Sequence, residues 1–503
     1  MSTPRNLADL LRAAGSRAGD RTALVAEGAS LTWAQLDALV DRRARGLRAQ
    51  GVDVGDRVGL ALGNTVDFVV SYFAVLRAGM VALPLNADGA PGELIHQITD
   101  ARARGLLCRR QTFERLPREE LGALAVVAVA GAGEPPAAAM PIEALDVDGD
   151  PVESGAGAED LAVLLYTAGT TGRPRGAMLS HRALLANLDQ LSTVDIGHPP
   201  GAHDVGLLVL PLFHVYGLNA GLGMLVRRCG TGVLVDRFDP VETLRLITEH
   251  GITRVVGAPP MYVAWAMLPE AAQAFSGVRV AISGAAPLPP SVLSAFQQAT
   301  GHAVYEGYGM TEAAPVITTN MLSGDAPKPG SIGRPLPGIE LRLRDESGAA
   351  PADGDPGEIV VRGANLFSGY WPDGSGGPDA DGWFRTGDVA YADADGDLYI
   401  VDRLRELIIV SGFNVYPREV EAVLETHPDV VEAAVVGVTH PYTGESVKAF
   451  VVRRAGSDLR VDELIAFAAE SLARFKCPTA VEFVDELPRA AAGKVARGRL
   501  RAV

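Results

Sequence analysis

The sequence predicts an α/β protein: a large N-terminal domain of two α/β subdomains plus a small β region, joined by a hinge to a small α+β C-terminal domain. Three observations predict it. From Trp33 to Gly257, short apolar runs alternate with stretches whose apolar residues recur at helical spacing, the pattern of a mostly parallel sheet covered by helices. From Gly333 the pattern changes to short strands separated by turn residues. The last hundred or so residues read helix, strand, strand, helix, strand, a unit of a size that folds alone. The expected boundaries are 1–402 for the N-terminal domain and 403–503 for the C-terminal one.

Trp33, Leu36, Val40, Ala44 and Leu47 keep a helical period, Arg57–Leu62 reads as a strand and Val66–Leu76 as a helix. The alternation continues through a strand at Val81–Leu83, a helix at Glu93–Ile98 and a strand at Ala123–Ala130. Residues 131–158, rich in Gly, Ala, Pro and Asp, are expected to be a connecting surface segment. A second unit follows, with a strand at Leu161–Leu165, a helix at Ser180–Leu191, strands at Gly206–Leu210 and Gly232–Val235, a helix at Pro240–His250 and a strand at Arg254–Gly257. The β region has strands at Glu340–Arg344, Glu358–Arg362 and Leu398–Val401, the last after the turn pair Asp395-Gly396. In the C-terminal domain the helices are Pro417–Glu425 and Val461–Phe475, and the strands are Val430–Val438, Ser446–Val452 and Val481–Val484.

Composition excludes several classes. With 45 Lys and Arg against 61 Asp and Glu in 503 residues, the net charge of -16 disfavours a nucleic-acid partner, which calls for a basic face. The three cysteines, Cys108, Cys229 and Cys477, are too far apart for a zinc motif or a disulfide framework and are expected to be packing residues. Val205–Val226 holds no charged residue, but Pro211, His214, Asn219 and three glycines, Gly217, Gly221 and Gly223, argue for a buried strand, a sharp loop and a helix start rather than a membrane span. The N-terminus lacks an apolar stretch with a cleavage site, so a cytoplasmic location is expected.

The stretch with the strongest chemistry is Tyr166-Thr-Ala-Gly-Thr-Thr-Gly-Arg-Pro-Arg-Gly176, directly after an apolar strand. Gly169, Gly172 and Gly176 let backbone N–H groups turn toward an anion, Thr167, Thr170 and Thr171 add hydroxyls, and Arg173 and Arg175 add charge. It matches neither the mononucleotide P-loop nor the dinucleotide glycine turn. Taken alone, such a Gly/Thr/Pro cluster is most often only a turn; four further stretches give it meaning. They are Pro211-Leu-Phe-His-Val-Tyr-Gly217, Tyr305-Glu-Gly-Tyr-Gly-Met-Thr-Glu312, Gly382-Trp-Phe-Arg-Thr-Gly-Asp388 with Asp402-Arg403, and Pro488-Arg-Ala-Ala-Ala-Gly-Lys494.

In order and spacing the five stretches resemble the adenylate-forming superfamily of acyl-CoA synthetases, aryl-CoA ligases, luciferases and peptide-synthetase adenylation domains. The resemblance implies two half-reactions. A carboxylate attacks the α-phosphate of ATP to give an acyl-adenylate and pyrophosphate, and a thiol then displaces AMP. It implies that Lys494 reaches the α-phosphate and the attacking carboxylate, that the Thr311 hydroxyl meets the α-phosphate, and that Glu312 holds Mg²⁺, an ion suited to hard oxygen ligands. Tyr308, followed by Gly309, is expected to stack on adenine beside Gly284, Ala285 and Ala286; Asp388, in a surface cleft, and Arg403 are expected to bind the ribose. His214 is expected at the mouth of the acyl pocket, Arg405 at the hinge, and Gly412 in the loop that admits the thiol. Two departures stand in the phosphate loop: Ala168 replaces the usual Ser, and Arg175 the usual Lys, so that a planar fork takes the place of a point charge.

The co-substrates implied are ATP, Mg²⁺ as cofactor, CoA and a small carboxylic acid. Gly307 stands where dicarboxylate-using relatives carry a basic residue, so a neutral tail is expected. Tyr216, Gly217, Asn219, Gly221, Gly257, Met261 and Gly307 are the expected pocket, roomy enough for a medium or long fatty acid. An aryl acid is the alternative, as in plant-type aryl-CoA ligases, and a separate carrier protein is the alternative acceptor.

Overall fold

The structure is a computed structural model. It describes residues 5–26, 28–167, 174–194, 201, 203–324, 327–345, 347–403, 406–410, 413–440, 444–489 and 495–500, without the side chains of 402, 403, 409, 413, 414, 444 and 498. These form two compact units, Met1–Glu340 with Arg362–Phe384, and Leu341–Val361 with Arg385–Val503.

The first unit contains two sheets. One has seven strands in the order Met140–Pro141, Val126–Ala130, Ala103–Arg109, Arg57–Ala61, Val81–Pro84, Leu161–Thr167 and Arg175–Ser180. The other has nine, in the order Ala29–Thr32, Thr22–Ala26, Thr231–Leu234, Val205–Leu208, Arg254–Gly257, Val280–Ser283, Val304–Gly309, Val316–Thr319 and Arg334–Pro335. Pairing from Thr231–Leu234 through to Val304–Gly309 is parallel throughout, and such strands are buried on both faces, which is why their sequences are short apolar runs rather than alternating ones. Tyr262, Trp265, Phe275 and Phe296 pack edge to face at centroid separations of 5.0–5.4 Å beneath this sheet.

The expected alternation is present with further strands added, among them two in the seven-stranded sheet. Ala103–Arg109 was hidden by its basic ends, and Arg175–Ser180 by the Pro and Gly residues around it. The second addition changes the setting of the phosphate loop. Arg175–Ser180 runs antiparallel to Leu161–Thr167, with Thr167 opposite Arg175, so the loop joins the two arms of a hairpin. Residues 131–158 are also more tightly held than a surface connection. Ile142 and Leu145 are fully buried, and Arg43 forks onto both oxygens of Asp146 at 2.9 and 3.0 Å. The uncharged run from 205 resolves into a strand, Val205–Leu208, a π-helix, Tyr216–Gly223, and a helix, Met224–Arg228. Among the described residues no helix is long and apolar enough to cross a membrane. All three cysteines are buried and free.

One buried titratable group ties the first helix, Leu7–Ala18, to the helix His181–Ser192. Nδ1 of His181 accepts from the Leu7 N–H at 3.2 Å, and its Nε2 is buried with no partner among the described residues. Burial drives its pKa down to about 4, Asp160 offsetting this only in part. The unfolded chain therefore takes up this proton first, and the stability carried by neutral His181 is present above about pH 6.5 and fades as pH falls toward 4. The full loss is roughly 3 kcal/mol. Urea midpoints are expected to fall between pH 7 and 4.5 in the wild type and to fall less in His181→Asn, which keeps an acceptor but no titrating group. Equal slopes in both proteins refute the assignment.

The second unit holds most of a four-stranded sheet, ordered Ile339–Arg344, Gly357–Gly363, Phe384–Ala392 and Leu398–Arg403. It also holds a five-stranded sheet built on the antiparallel pair Val430–His440 and Gly444–Arg453. The helices Pro417–Leu424 and Val461–Ser471 bury Val420, Leu424, Leu464 and Ala468 in the core that this sheet shares. Arg497 forks onto Glu421 and reaches Glu406 at 2.5 Å.

Candidate active site

In open parallel sheets, ligands bind beyond the carboxyl ends of the strands. In the nine-stranded sheet those ends carry Gly257, the segment Gly284–Ala286 after Ser283, and the segment Tyr308–Glu312. Gly284 is packed so closely that a Cβ there would lie 2.7 Å from the Tyr216 ring. Ala285 is exposed and held at a φ of 69°, a left-handed conformation in which a non-glycine residue is strained. Gly309 has no room for a side chain either, since a Cβ would lie 2.1 Å from the Pro315 carbonyl oxygen. Tyr308 stands opposite Thr318 on the neighbouring antiparallel strand.

Thr311 and Glu312 open a helical turn, Thr311–Ala313, that is fixed from three sides. Phe367 N–H donates to the Glu312 carbonyl at 2.9 Å, the Asn365 amide to that of Ala313 at 2.7 Å, and the Asn219 amide to that of Ala314 at 2.8 Å. Asn219 also donates to the Leu184 carbonyl at 3.1 Å and is 1% exposed. It was expected to line a pocket; instead its amide belongs to the framework beneath the Glu312 turn. The Glu312 side chain is buried and accepts the Tyr370 hydroxyl on Oε1 at 2.6 Å.

At the open end of the hairpin, Thr167 and Arg175 form the last register pair. The Arg175 guanidinium stacks 3.7 Å above the Tyr370 ring, a use of its planar shape that an ammonium does not reproduce. Gly169, Thr170, Thr171 and Gly172 lie outside the described residues. His214 is half-buried, its ring centroid 4.8 Å from that of Phe213, and its carbonyl accepts from Leu218 N–H at the entry to the π-helix.

Three polar atoms near these strand ends are buried without a partner among the described residues: the Tyr216 hydroxyl, Ser283 Oγ and Glu306 Oε1. Ser283 and Glu306 are register partners, and the Tyr216 ring lies against the residue after Ser283. The other Glu306 oxygen accepts from Leu288 N–H at 3.1 Å, while burial pushes the carboxyl up to about 7. Ser283, Glu306 and Tyr370 did not stand out in the sequence as site residues, and Tyr216 did only as a wall of the expected pocket. A single Tyr, Ser or Glu inside a strand motif carries no spacing signal; the close approach of Gly284 to Tyr216 becomes visible only in three dimensions.

In the second unit, Asp388 is 5% exposed on the strand Phe384–Ala392, with the Arg403 backbone opposite in the pairing strand. This corrects the expectation of a surface cleft residue. The turn before it is set by Thr386, whose hydroxyl accepts from Asp388 N–H at 3.1 Å and donates to the Ile359 carbonyl at 2.8 Å. Glu358 accepts from Gly387 N–H at 3.1 Å and pairs with Arg385. The side chain of Arg403 is not described, and Arg405, Gly412 and Lys494 lie outside the described residues. Gly412 belongs to the link between the paired strands Ile408–Val410 and Phe413–Val415, and Lys494 to that between the bridged residues Arg489 and Val495.

Comparison with known proteins gives the family. The AMP-binding enzyme family matches residues 11–371, and the AMP-binding enzyme C-terminal domain matches 419–494. The long-chain-fatty-acid–CoA ligase of Bacillus subtilis (strain 168) is 35% identical over 99% of this chain and 94% of its own length. A feruloyl-CoA synthase of an Amycolatopsis species is 39% identical over 95% of each chain. The crystal structure of ATP-bound MatB from Rhodopseudomonas palustris superposes with a TM-score of 0.89 at 35% identity, covering 99% of this chain and 98% of that one. With the fold, the ordered motifs and these relatives in agreement, the chain belongs to the AMP-binding enzyme family of the adenylate-forming superfamily, as an acid–thiol ligase of its acyl-CoA synthetase branch.

Proposed function

We propose that this enzyme joins a medium- or long-chain fatty acid to CoA, by way of an acyl-adenylate and with release of pyrophosphate and then AMP. The observation that carries the reading is the Thr311–Glu312 turn after Tyr308, linked through Tyr370 to Arg175 at the last pair of the hairpin. In this reading the hairpin loop, through Thr167, Gly169, Thr170, Thr171, Gly172 and Arg175, cradles the phosphates. Tyr308 and Gly309 with Gly284, Ala285 and Ala286 hold the adenine, and Asp388 and Arg403 hold the ribose. Charge gathers between two anionic partners when the carboxylate attacks, so Lys494 and the Thr311 hydroxyl supply positive charge and a donor at that centre. The Glu312 carboxylate is the kind of hard-oxygen donor that Mg²⁺ takes, and the ion would neutralise phosphate charge when bound. His214 stands at the mouth of the acyl pocket and Gly412 on the path of the thiol.

A specific observation favours a second reading of the acid. The unpartnered Tyr216 hydroxyl, Ser283 Oγ and Glu306 Oε1 suit an aryl acid with a hydroxyl on its tail better than a hydrocarbon chain, because buried polar atoms gain from a partner. Pyrophosphate release from a panel of fatty and hydroxylated aryl acids, with and without CoA, separates the readings. Product release that does not respond to CoA points instead to a carrier-protein acceptor. Tyr216→Phe is expected to leave a fatty-acid reaction within about threefold and to cut one that uses the hydroxyl by about tenfold, the effect of one lost buried hydrogen bond.

A further inference from the structure

We propose that Tyr370 is a positioning residue for metal binding, orienting the Glu312 carboxylate and linking it to the cation at the end of the phosphate loop. The inference rests on Glu312 holding the metal, as proposed above. Three observations carry it. The Tyr370 hydroxyl donates to Glu312 Oε1 at 2.6 Å. The Arg175 guanidinium lies 3.7 Å over the same ring. The Tyr370 backbone is locked onto the strand that Arg175 begins: Trp371 N–H donates to Gly176 O at 2.8 Å, Met178 N–H to Gly369 O at 3.0 Å, and Ser368 N–H to Met178 O at 2.9 Å.

The ring is therefore held on both sides. Gly376, at a φ of 68°, has no side chain on the face where a Cβ would come within 3.3 Å of the ring, and Phe367 packs edge to face at 5.0 Å. Phe367 in turn fixes the Glu312 backbone through its N–H. One aromatic residue thus joins the segment after Leu366, the phosphate hairpin and the Glu312 turn. A carboxylate that binds a metal gains from a second hydrogen bond that fixes its rotamer, and loss of such an outer partner weakens metal binding by about 10–100-fold. The substitution of Arg for Lys at position 175 fits the same arrangement, since only a planar cation stacks on the ring as it binds phosphate.

The test uses Mn²⁺ as the probe, its binding to the full-length enzyme with ATP and no acid being followed by electron paramagnetic resonance. Tyr370→Phe keeps the ring and its stack and removes the hydroxyl alone. It is expected to weaken Mn²⁺ binding by about tenfold while leaving ATP binding in chelator and the melting temperature unchanged. Glu312→Gln is expected to weaken binding at least as much, and the double variant no further than Glu312→Gln, because the tyrosine acts through the carboxylate. Wild-type Mn²⁺ affinity in Tyr370→Phe overturns the proposal, as do additive losses in the double variant. Unchanged Mn²⁺ affinity in Glu312→Gln instead overturns the placing of the metal on Glu312, a separate failure. If Tyr370→Phe melts far below the wild type, Tyr370→His, which restores a ring donor, must recover the affinity for the proposal to stand.

Discussion

Asp388→Ala is expected to lower kcat/KM for ATP by about a hundredfold or more, with the acid's KM little changed. Two ribose hydroxyls donating to one carboxylate make two charge-assisted hydrogen bonds, each worth about 1.5–3 kcal/mol. Their joint loss corresponds to roughly 10²–10⁴ in transition-state stabilisation. Asp388 is 5% exposed and follows a turn whose backbone N–H groups are satisfied by Thr386 and Glu358, so its backbone is set before the nucleotide arrives. Because a buried charge is being removed, Asp388→Asn is the informative companion. It keeps the shape and one acceptor oxygen and should fall between wild type and Ala. Steady-state kinetics with ATP varied, alongside thermal melts, decide the matter: wild-type ATP kinetics in a folded Asp388→Ala refute a ribose contact.

Much of the fold was legible because period and punctuation survive in short parallel strands. Arg57–Ala61, Val81–Pro84 and Arg254–Gly257 are apolar, brief and bounded by turn residues, and the structure places them in the interior of their sheets. What failed to show had a physical reason. The strand Arg175–Ser180 begins in a Pro- and Gly-rich stretch, and its pairing with Leu161–Thr167 is a property of the hairpin rather than of its own residues. The tight hold on residues 131–158 comes from Arg43, about a hundred residues earlier in the chain, which no local pattern reveals.

The candidate site divides in the same way. Thr311 and Glu312 were legible through their motif, while Tyr370, Asn219 and Glu306 were not, since each acts through a contact across many residues. Asn219 is the instructive case. Its place in an uncharged, glycine-rich run suggested a cavity wall, yet a buried amide must satisfy its hydrogen bonds, and two backbone carbonyls claim both of its donors.

The largest effect is expected at the C-terminal domain, where one chain is proposed to present Lys494 for the first half-reaction and the Gly412 loop for the second. Lys494→Ala should abolish acid-dependent exchange of pyrophosphate into ATP, a loss of about a thousandfold or more for a cation placed at the developing charge. It should largely spare thioester formation from a supplied acyl-adenylate and CoA, a step in which charge departs with AMP instead of gathering between a carboxylate and ATP. Gly412→Leu should do the reverse, since a branched side chain narrows the thiol's path and leaves the adenylating arrangement untouched. The anchors on either side make the comparison clean. Arg489 and Val495 bridge the ends of the Lys494 segment, and the strands on both sides of Gly412 pair with each other, so neither substitution removes a structural tie among the described residues. If both variants lose both half-reactions to the same degree while melting as the wild type does, alternation between two presentations is not how this enzyme works.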